Sequence, residues 1–308
     1  MNRCAHALIS AGIVLLLPSI TSGENGRTGE QKNGGTAAQP PTHADVAKNF
    51  KKENLKTLVE GHEFTEGPTL DADGNLLFTS PRQNSIVRYS LENQSDSLFY
   101  QGEHPVSALF FRDGKLFATQ GDLDRIIEIR SPDDFVPVAE TYEGKPFNKP
   151  NDLWVSPSGH IYFTDPNYGR GPLPQGGEFA YWFTPEGKVH RIDATFNRPN
   201  GIVGSEDGKT LFITDAGDSK TYKFTLDENG TPGPQTLLTD VGGDGMTLDK
   251  HGNLYVTVPK QKALVVVDPD GNEISRISDF GCTNATFGPE GKILYITRTP
   301  GLWSLKLY

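Results

Sequence analysis

The sequence predicts an all-β fold, a six-bladed β-propeller with its functional site in the central channel, and three observations carry that prediction. One short phrase recurs six times between Glu66 and the C-terminus: a polar residue, an apolar stretch, a Gly-containing turn, then a strand ending at or near Thr. The copies open at Glu66, Ser107, Asn151, Asn200, Asp244 and Asn284, and their spacings of 41, 44, 49, 44 and 40 residues fit the roughly 40–45-residue period of a four-stranded blade. The apolar runs are short and rich in β-branched and aromatic residues, as in Ile161-Tyr-Phe-Thr, Leu254-Tyr-Val-Thr and Leu264-Val-Val-Val, and no long helical pattern competes with them.

Taken in chain order, the first element is not part of the propeller. Arg3 precedes an apolar stretch from Ala5 to Pro18 that ends in Ser-Ile-Thr-Ser-Gly. This is the layout of a secretory signal peptide, too short and too lightly flanked for a membrane span. Residues 1–23 are expected to be that signal, cleaved near Gly23, with a retained anchor as the alternative. Cys4 lies ahead of the apolar stretch, which does not support a lipid-anchored cleavage site. Residues 24–50 are mostly Gly, Gln, Thr, Pro and Ala with scattered charge, and are expected to form a disordered linker because they have little to bury. Residues 51–308 are assigned to the propeller. A unit of this length cannot bury both faces of its own sheet, so the blades must stack and the ring must close.

The formal charge of −10 falls by one, to −11, when Arg3 leaves with the signal. Such an acidic surface argues against a nucleic-acid partner. No polybasic run or strong amphipathic helix points to a membrane after cleavage. Cys282 is then the one remaining cysteine, so an internal disulfide is excluded. Export without disulfides is compatible with a bacterial periplasm or the exterior.

Ring closure makes equivalent repeat positions neighbours around one channel. The leading residues then read Glu, Ser, Asn, Asn, Asp, Asn. Singly, each has a structural explanation: Asn200-Gly201 and Asp244-Gly245 are ordinary turn dipeptides, and Glu66 before Gly-Pro is a solvated loop carboxylate. Jointly, Glu66, Asn151, Asn200 and Asp244 would present four hard oxygen donors and two negative charges, a calcium-type set. Zinc would more usually recruit His or Cys, and none of the six positions is either. Without a cation, Glu66 and Asp244 in a narrow channel would repel each other and carry a large desolvation cost.

Five motifs in order, Phe64-Thr-Glu-Gly-Pro, Pro150-Asn-Asp-Leu with Ile161-Tyr-Phe-Thr-Asp-Pro-Asn-Tyr-Gly, Arg198-Pro-Asn-Gly-Ile, Gly243-Asp-Gly-Met-Thr-Leu-Asp and Cys282-Thr-Asn-Ala-Thr-Phe-Gly, resemble the SMP-30/gluconolactonase/LRE-like family, in particular its bacterial gluconolactonase-type members. The resemblance covers the chain after about residue 55. It implies a six-bladed propeller with one divalent metal in the channel, commonly calcium, with magnesium, manganese or zinc as alternatives, and hydrolysis of a small-molecule lactone of the glucono-1,5-lactone type. The family's metal ligands fall on Glu66, Asn151, Asn200 and Asp244. The second blade departs from the pattern: Ser107 stands in Val-Ser-Ala-Leu where many relatives have Asn-Gly, and Ala118-Thr-Gln-Gly-Asp replaces a more charged segment.

In lactone opening the carbonyl oxygen gains negative charge as water attacks, and a divalent ion is suited to stabilise it. Asp244 is the candidate catalytic residue, as general base or as nucleophile. Glu66 is expected to be a ligand alone. Substrate contacts are expected from Ser107, Tyr168, Arg170 and Lys149; for Lys149 a solvated loop role stands equally. Asp152 and Asp215 are candidates to support the site, or simply turn formers. His160 and His251 lie in turns, while His104 is near the mouth or in a plain loop. The insertion from Gly169 to Glu178 is expected to cover the substrate, with Trp182 as a further contact unless Tyr181, Trp182 and Phe183 pack an outer strand. Hydrolysis of other lactones or phosphoesters, and a non-catalytic ligand-binding propeller, are the alternative functions.

Overall fold

In the computed structural model, described for residues 49–169 and 171–307, six four-stranded antiparallel sheets follow the six repeats. Blade 1 runs from Glu66–Leu70 through Leu76–Ser80 and Ser85–Ser90 to Ser95–Gln101. Blades 2 to 5 begin with the strands Leu109–Arg112, Leu153–Val155, Pro199–Gly204 and Met246–Leu248. Each then steps outward in sequence order. Blade 6 holds Asn284–Phe287, Ile293–Arg298 and Gly301–Lys306, and takes its outer strand from Leu55–Val59, which pairs Leu55 with Leu305. The ring is therefore closed by joining the two ends of the domain in one sheet. The repeat does not announce this strand, because it lies before the first copy.

The innermost strands are neighbours all the way round, and blade 6 touches blade 1. Between adjacent blades lie layers of buried apolar side chains. Phe78, Val87 and Leu76 of blade 1 meet Leu302, Tyr295 and Val59 of blade 6 across the closure. Trp154 and Tyr162 pack toward Ile213 and Val256 in the layer spanning blades 3 to 5. Each such side chain contributes on the order of 1.5–3 kcal/mol when fully buried, and blade 6 gains its share only when the N-terminal strand is in place. Asn49 and Phe50 already belong to the domain: Phe50 is buried against Tyr255, and Asn49 Nδ2 donates to the Leu307 carbonyl at 2.7 Å. Both residues of the segment 49–50 thus pack on the propeller. The expected signal and the linker up to residue 48 lie outside the described residues, among which no helix is long and apolar enough to cross a membrane.

The Thr that ends each phrase has a defined task. Thr79, Thr119, Thr164 and Thr214 are wholly buried, and each Oγ1 donates to the carbonyl of the next blade's leading residue: Ser107 at 2.6 Å, Asn151 at 2.7 Å, Asn200 at 2.6 Å and Asp244 at 3.1 Å. Thr257 donates to Thr283 at 2.6 Å, and Thr283 donates to Thr65 at 2.6 Å, which completes the circle one residue before Asn284 and Glu66. These bonds tie neighbouring inner strands together where the backbone ladder of each blade stops. They also fix the leading residues in register with one another.

The glycines that follow leading residues make the same approach possible. A Cβ on Gly201 would fall 2.3 Å from the Asp244 carbonyl oxygen, and one on Gly245 would fall 2.1 Å from Asn284 Cγ. Asn200-Gly201 and Asp244-Gly245 are therefore close-packing sites between blades, not the turn dipeptides that the residue pair suggests on its own.

Candidate functional site

All six leading residues line a single cavity of about 430 Å³ in the channel. Glu66, Asn200 and Asn284 lie in the innermost strands of their blades, and Ser107, Asn151 and Asp244 lie two residues ahead of theirs. The side chains form a chain of contacts. Asn151 Nδ2 donates to Asn200 Oδ1 at 2.6 Å, and Asn200 Nδ2 donates to Asp244 Oδ1 at 2.8 Å and also to the Tyr168 hydroxyl. Three of the four expected metal ligands are thus directly connected, and Glu66 lines the same cavity.

Asp152 and Asn284 join them, although neither is among the expected ligands. Asp152 is buried, and its Oδ2 accepts from Asn284 Nδ2 at 3.2 Å while Oδ1 accepts from the Leu153 amide at 2.9 Å. Asn284 also stabilises the Glu66 carboxylate. The signal for Asn284 is present in the sequence, since it occupies the sixth leading position; Asp152 escapes the phase rule because it follows a leading residue.

Electrostatics mark the cluster. Glu66 is pushed well above the usual carboxylate range by desolvation and then by Asp244 and Asp152. Asp244 is also raised, by desolvation, against the pull of the Asn200 amide. Asp152 is pushed up to about 7 by desolvation, with the Leu153 amide and Asn284 opposing. No ion pair among the described residues includes any of the three. Three carboxyl groups are thus held together with no cationic side chain to offset them, the arrangement whose cost a bound cation removes.

The donor chemistry fits a hard divalent ion. Glu66 and Asp244 offer carboxylate oxygens, and Asn151 and Asn200 offer carboxamide oxygens, whose orientation exchanges O for N by a half-turn of the amide. Among the described residues no three Asp, Glu, His or Cys side chains gather at metal-ligating spacing. The fit rests on the mixed set of two carboxylates and two carboxamides.

The remaining expected residues divide. Ser107 and Tyr168 line the cavity. Tyr168 is 49% exposed, yet desolvation and the nearby Asp244 push its phenol above the usual range, so the hydroxyl stays protonated. Lys149 does not line the cavity: its ammonium sits 3.5 Å from Asp122 and its amide donates to Asp165 Oδ1 at 2.8 Å. Arg170 lies outside the described residues. Asp215 is buried away from the cavity and accepts four backbone amides, from Asn197, Arg198, Gly217 and Asp218. It holds the segment leading into Asn200.

Trp182 does not line the cavity. Tyr181, Trp182 and Phe183 are all buried in the strand Phe179–Phe183, and Trp182 stacks on His190 with ring centroids 4.6 Å apart. His160 packs beside Trp182, His251 lies in the turn after Asp249, and His104 is exposed and absent from the lining. The insertion is pinned to the body: Gln175 Nε2 donates to the Lys145 and Pro146 carbonyls, and Glu178 accepts the Asn167 amide at 2.8 Å. This anchoring presents Tyr168 to the site.

Comparison with known proteins agrees with this architecture. Residues 64–299 match the model of the SMP-30/gluconolactonase/LRE-like region. A gluconolactonase of Zymomonas mobilis is 30% identical over 286 residues, covering 79% of this chain and 78% of its own. Among solved structures, a gluconolactonase from Xanthomonas campestris superposes with a TM-score of 0.75 at 22% identity, covering 82% of this chain and 88% of its own. The calcium-binding protein regucalcin from Agrobacterium tumefaciens gives 0.67 at 22% identity, with 81% and 91% covered. Both show the shared fold. With the family model spanning most of the sequence and the six leading residues meeting in one cavity, the chain belongs to the SMP-30/gluconolactonase/LRE-like family.

Proposed function

We propose that this protein is a divalent-cation-dependent lactonase that opens a cyclic carboxylic ester to the hydroxy acid. The observation that carries the reading is the cluster of Glu66, Asp152 and Asp244, desolvated together without a cationic partner and bordered by Asn151 and Asn200. A cation held by Glu66, Asn151, Asn200 and Asp244, with calcium favoured by the all-oxygen donors and magnesium, manganese or zinc as alternatives, would supply the positive charge that stabilises the carbonyl oxygen as it becomes anionic.

The chain's own groups supply the rest. Asp244 is positioned by the Asn200 amide, and acts on the carbonyl carbon in one of two ways: it removes a proton from attacking water, or it attacks and forms an acyl-enzyme that water then hydrolyses. The protonated Tyr168 hydroxyl and Ser107, both in the cavity lining, would orient the substrate. Glucono-1,5-lactone, the substrate type that the resemblance implies, is the reference compound. The same proposal places the protein in the periplasm or outside the cell, on the strength of the signal-like segment before residue 24.

Acid release from a lactone panel before and after chelation, followed by addition of calcium, magnesium, manganese or zinc, tests the reading. Turnover that is lost with the chelator and regained with a divalent ion is expected; activity indifferent to chelation would refute the metal requirement. Single turnover in ¹⁸O-water identifies a nucleophilic Asp244 whose acyl-enzyme is opened by water at the Asp244 carboxyl carbon, because that route leaves Asp244's own unlabelled oxygen in the first product; trapping the acyl-enzyme covers opening at the substrate carbonyl.

A further inference from the structure

The walls of the cavity differ from its polar centre. Phe64, Pro81, Ala108, Ala216, Val258 and Pro259 line it, and Lys260 adds its aliphatic stem while its ammonium donates to the Ala216 carbonyl at 2.5 Å. The Tyr168 hydroxyl already receives the Asn200 amide. Ser107 Oγ is a wall hydroxyl without a hydrogen-bond partner among the described residues. Outside the polar centre, Ser107 Oγ and the Tyr168 hydroxyl are the side-chain groups of the lining that can meet a substrate hydroxyl.

The repeat makes one wall residue stand out. The position after each phrase-ending Thr is Ser80, Gln120, Asp165, Asp215, Val258 and Arg298. Five are polar, and the apolar exception, Val258, packs with Met246 and Val256 in the apolar layer, 2% exposed, and borders the cavity at its edge.

We propose that the site selects lactones bearing an apolar substituent over polyhydroxylated sugar lactones, with Val258 as a specificity-determining wall residue. The inference rests on the lactonase reading and narrows its substrate class. A sugar lactone must exchange each hydroxyl's water bonds for protein bonds, and a hydroxyl against Val258, Ala216 or Pro259 finds none. An alkyl group there loses no hydrogen bonds and leaves water for apolar contact.

Three six-membered lactones test it on the cation-loaded protein: δ-valerolactone with a bare ring, δ-octalactone with a propyl substituent, and glucono-1,5-lactone. Each kcat/KM is divided by the spontaneous hydrolysis rate at the same pH, because ring hydroxyls activate the carbonyl. The expected order is δ-octalactone above δ-valerolactone by about tenfold, with glucono-1,5-lactone last. Val258→Thr, close to isosteric, should narrow the ratio of δ-octalactone to glucono-1,5-lactone by about fivefold. Preference for glucono-1,5-lactone in the unmodified protein would overturn the inference and leave the lactonase reading standing. An alkyl preference that Val258→Thr leaves unchanged would remove Val258 from the selection. Failure to hydrolyse any of the three would overturn the lactonase reading, and this inference with it.

Discussion

The propeller holds two groups of buried acidic residues, one at strand ends and one in the channel, and they are handled in opposite ways. At the strand ends of blades 3 and 4, Asp165 and Asp215 are fully buried and surrounded by backbone amides: Asp165 accepts from Asn148 and Lys149, and Asp215 from four donors. Burial still pushes Asp165 up to about 7, but its two amides pull against that rise. In the channel, Asp244 accepts one side-chain amide and faces the carboxyl groups of Glu66 and Asp152 from other blades. A buried carboxylate with local N–H donors holds loops together. One that faces other carboxylates across blade boundaries is set up to receive something from outside the chain.

The sharpest way to break this comparison is to make the same change in both regions. Asp244→Asn should lower kcat by roughly 10³-fold, as loss of a base or nucleophile does, while thermal unfolding of the metal-free protein shifts upward because a desolvated charge is gone. Asp215→Asn should do the reverse. It exchanges an acceptor of four amides for a carboxamide that matches fewer, lowering stability by about 2–3 kcal/mol with much smaller loss of turnover per folded molecule. Calorimetry and initial rates on both variants decide it. Equal behaviour of the two variants would erase the distinction between the regions.

Proton linkage sharpens the comparison next. Asp152 has an ordinary value of 3.8 and a folded-state value of about 7, so between these limits the native state binds more protons than the unfolded chain. Stability of the metal-free protein should then fall as pH rises through that window, and the loss is complete above about pH 7. Glu66 and Asp244 are shifted the same way. A saturating divalent ion should flatten this dependence, which thermal unfolding from pH 4 to pH 8 with and without chelator would reveal. A metal-free protein that gains stability over the same range would show that the channel carboxyls are compensated after all.

The smallest effect tests the frame that holds the cluster. Thr164→Val removes the hydroxyl that ties blade 3 to the Asn200 carbonyl. About 1–2 kcal/mol of stability should be lost, with a severalfold rise in the dissociation constant for the activating ion, since Asn200 is released from its fixed position beside Asp244. Titration calorimetry reads both quantities. An unchanged ion affinity would mean that the Thr bonds serve the fold alone.

Much of the site is legible in the amino-acid sequence. The phase of the repeat locates Glu66, Ser107, Asn151, Asn200, Asp244 and Asn284, and all six line one cavity. It also locates the Thr positions without showing what they bind. Composition leaves Trp182 open between ligand contact and strand packing, because an aromatic run after an insertion looks the same whether it faces a ligand or a neighbouring strand. Asp152 and Asp215 are alike as acidic residues near strand ends, and they separate only through their partners: Asn284 reaches one and four amides reach the other.

The blade number, the residues that open each blade and the oxygen-rich character of the channel follow from the sequence alone, because each is a local pattern repeated at a fixed period. Which acids face other acids across blades, which strand closes the ring, why Gly201 and Gly245 must be small, and that Val258 lines the cavity emerge only from the tertiary structure. Each of those depends on atoms from different blades brought within a few ångströms, and no property of the local sequence encodes such a distance.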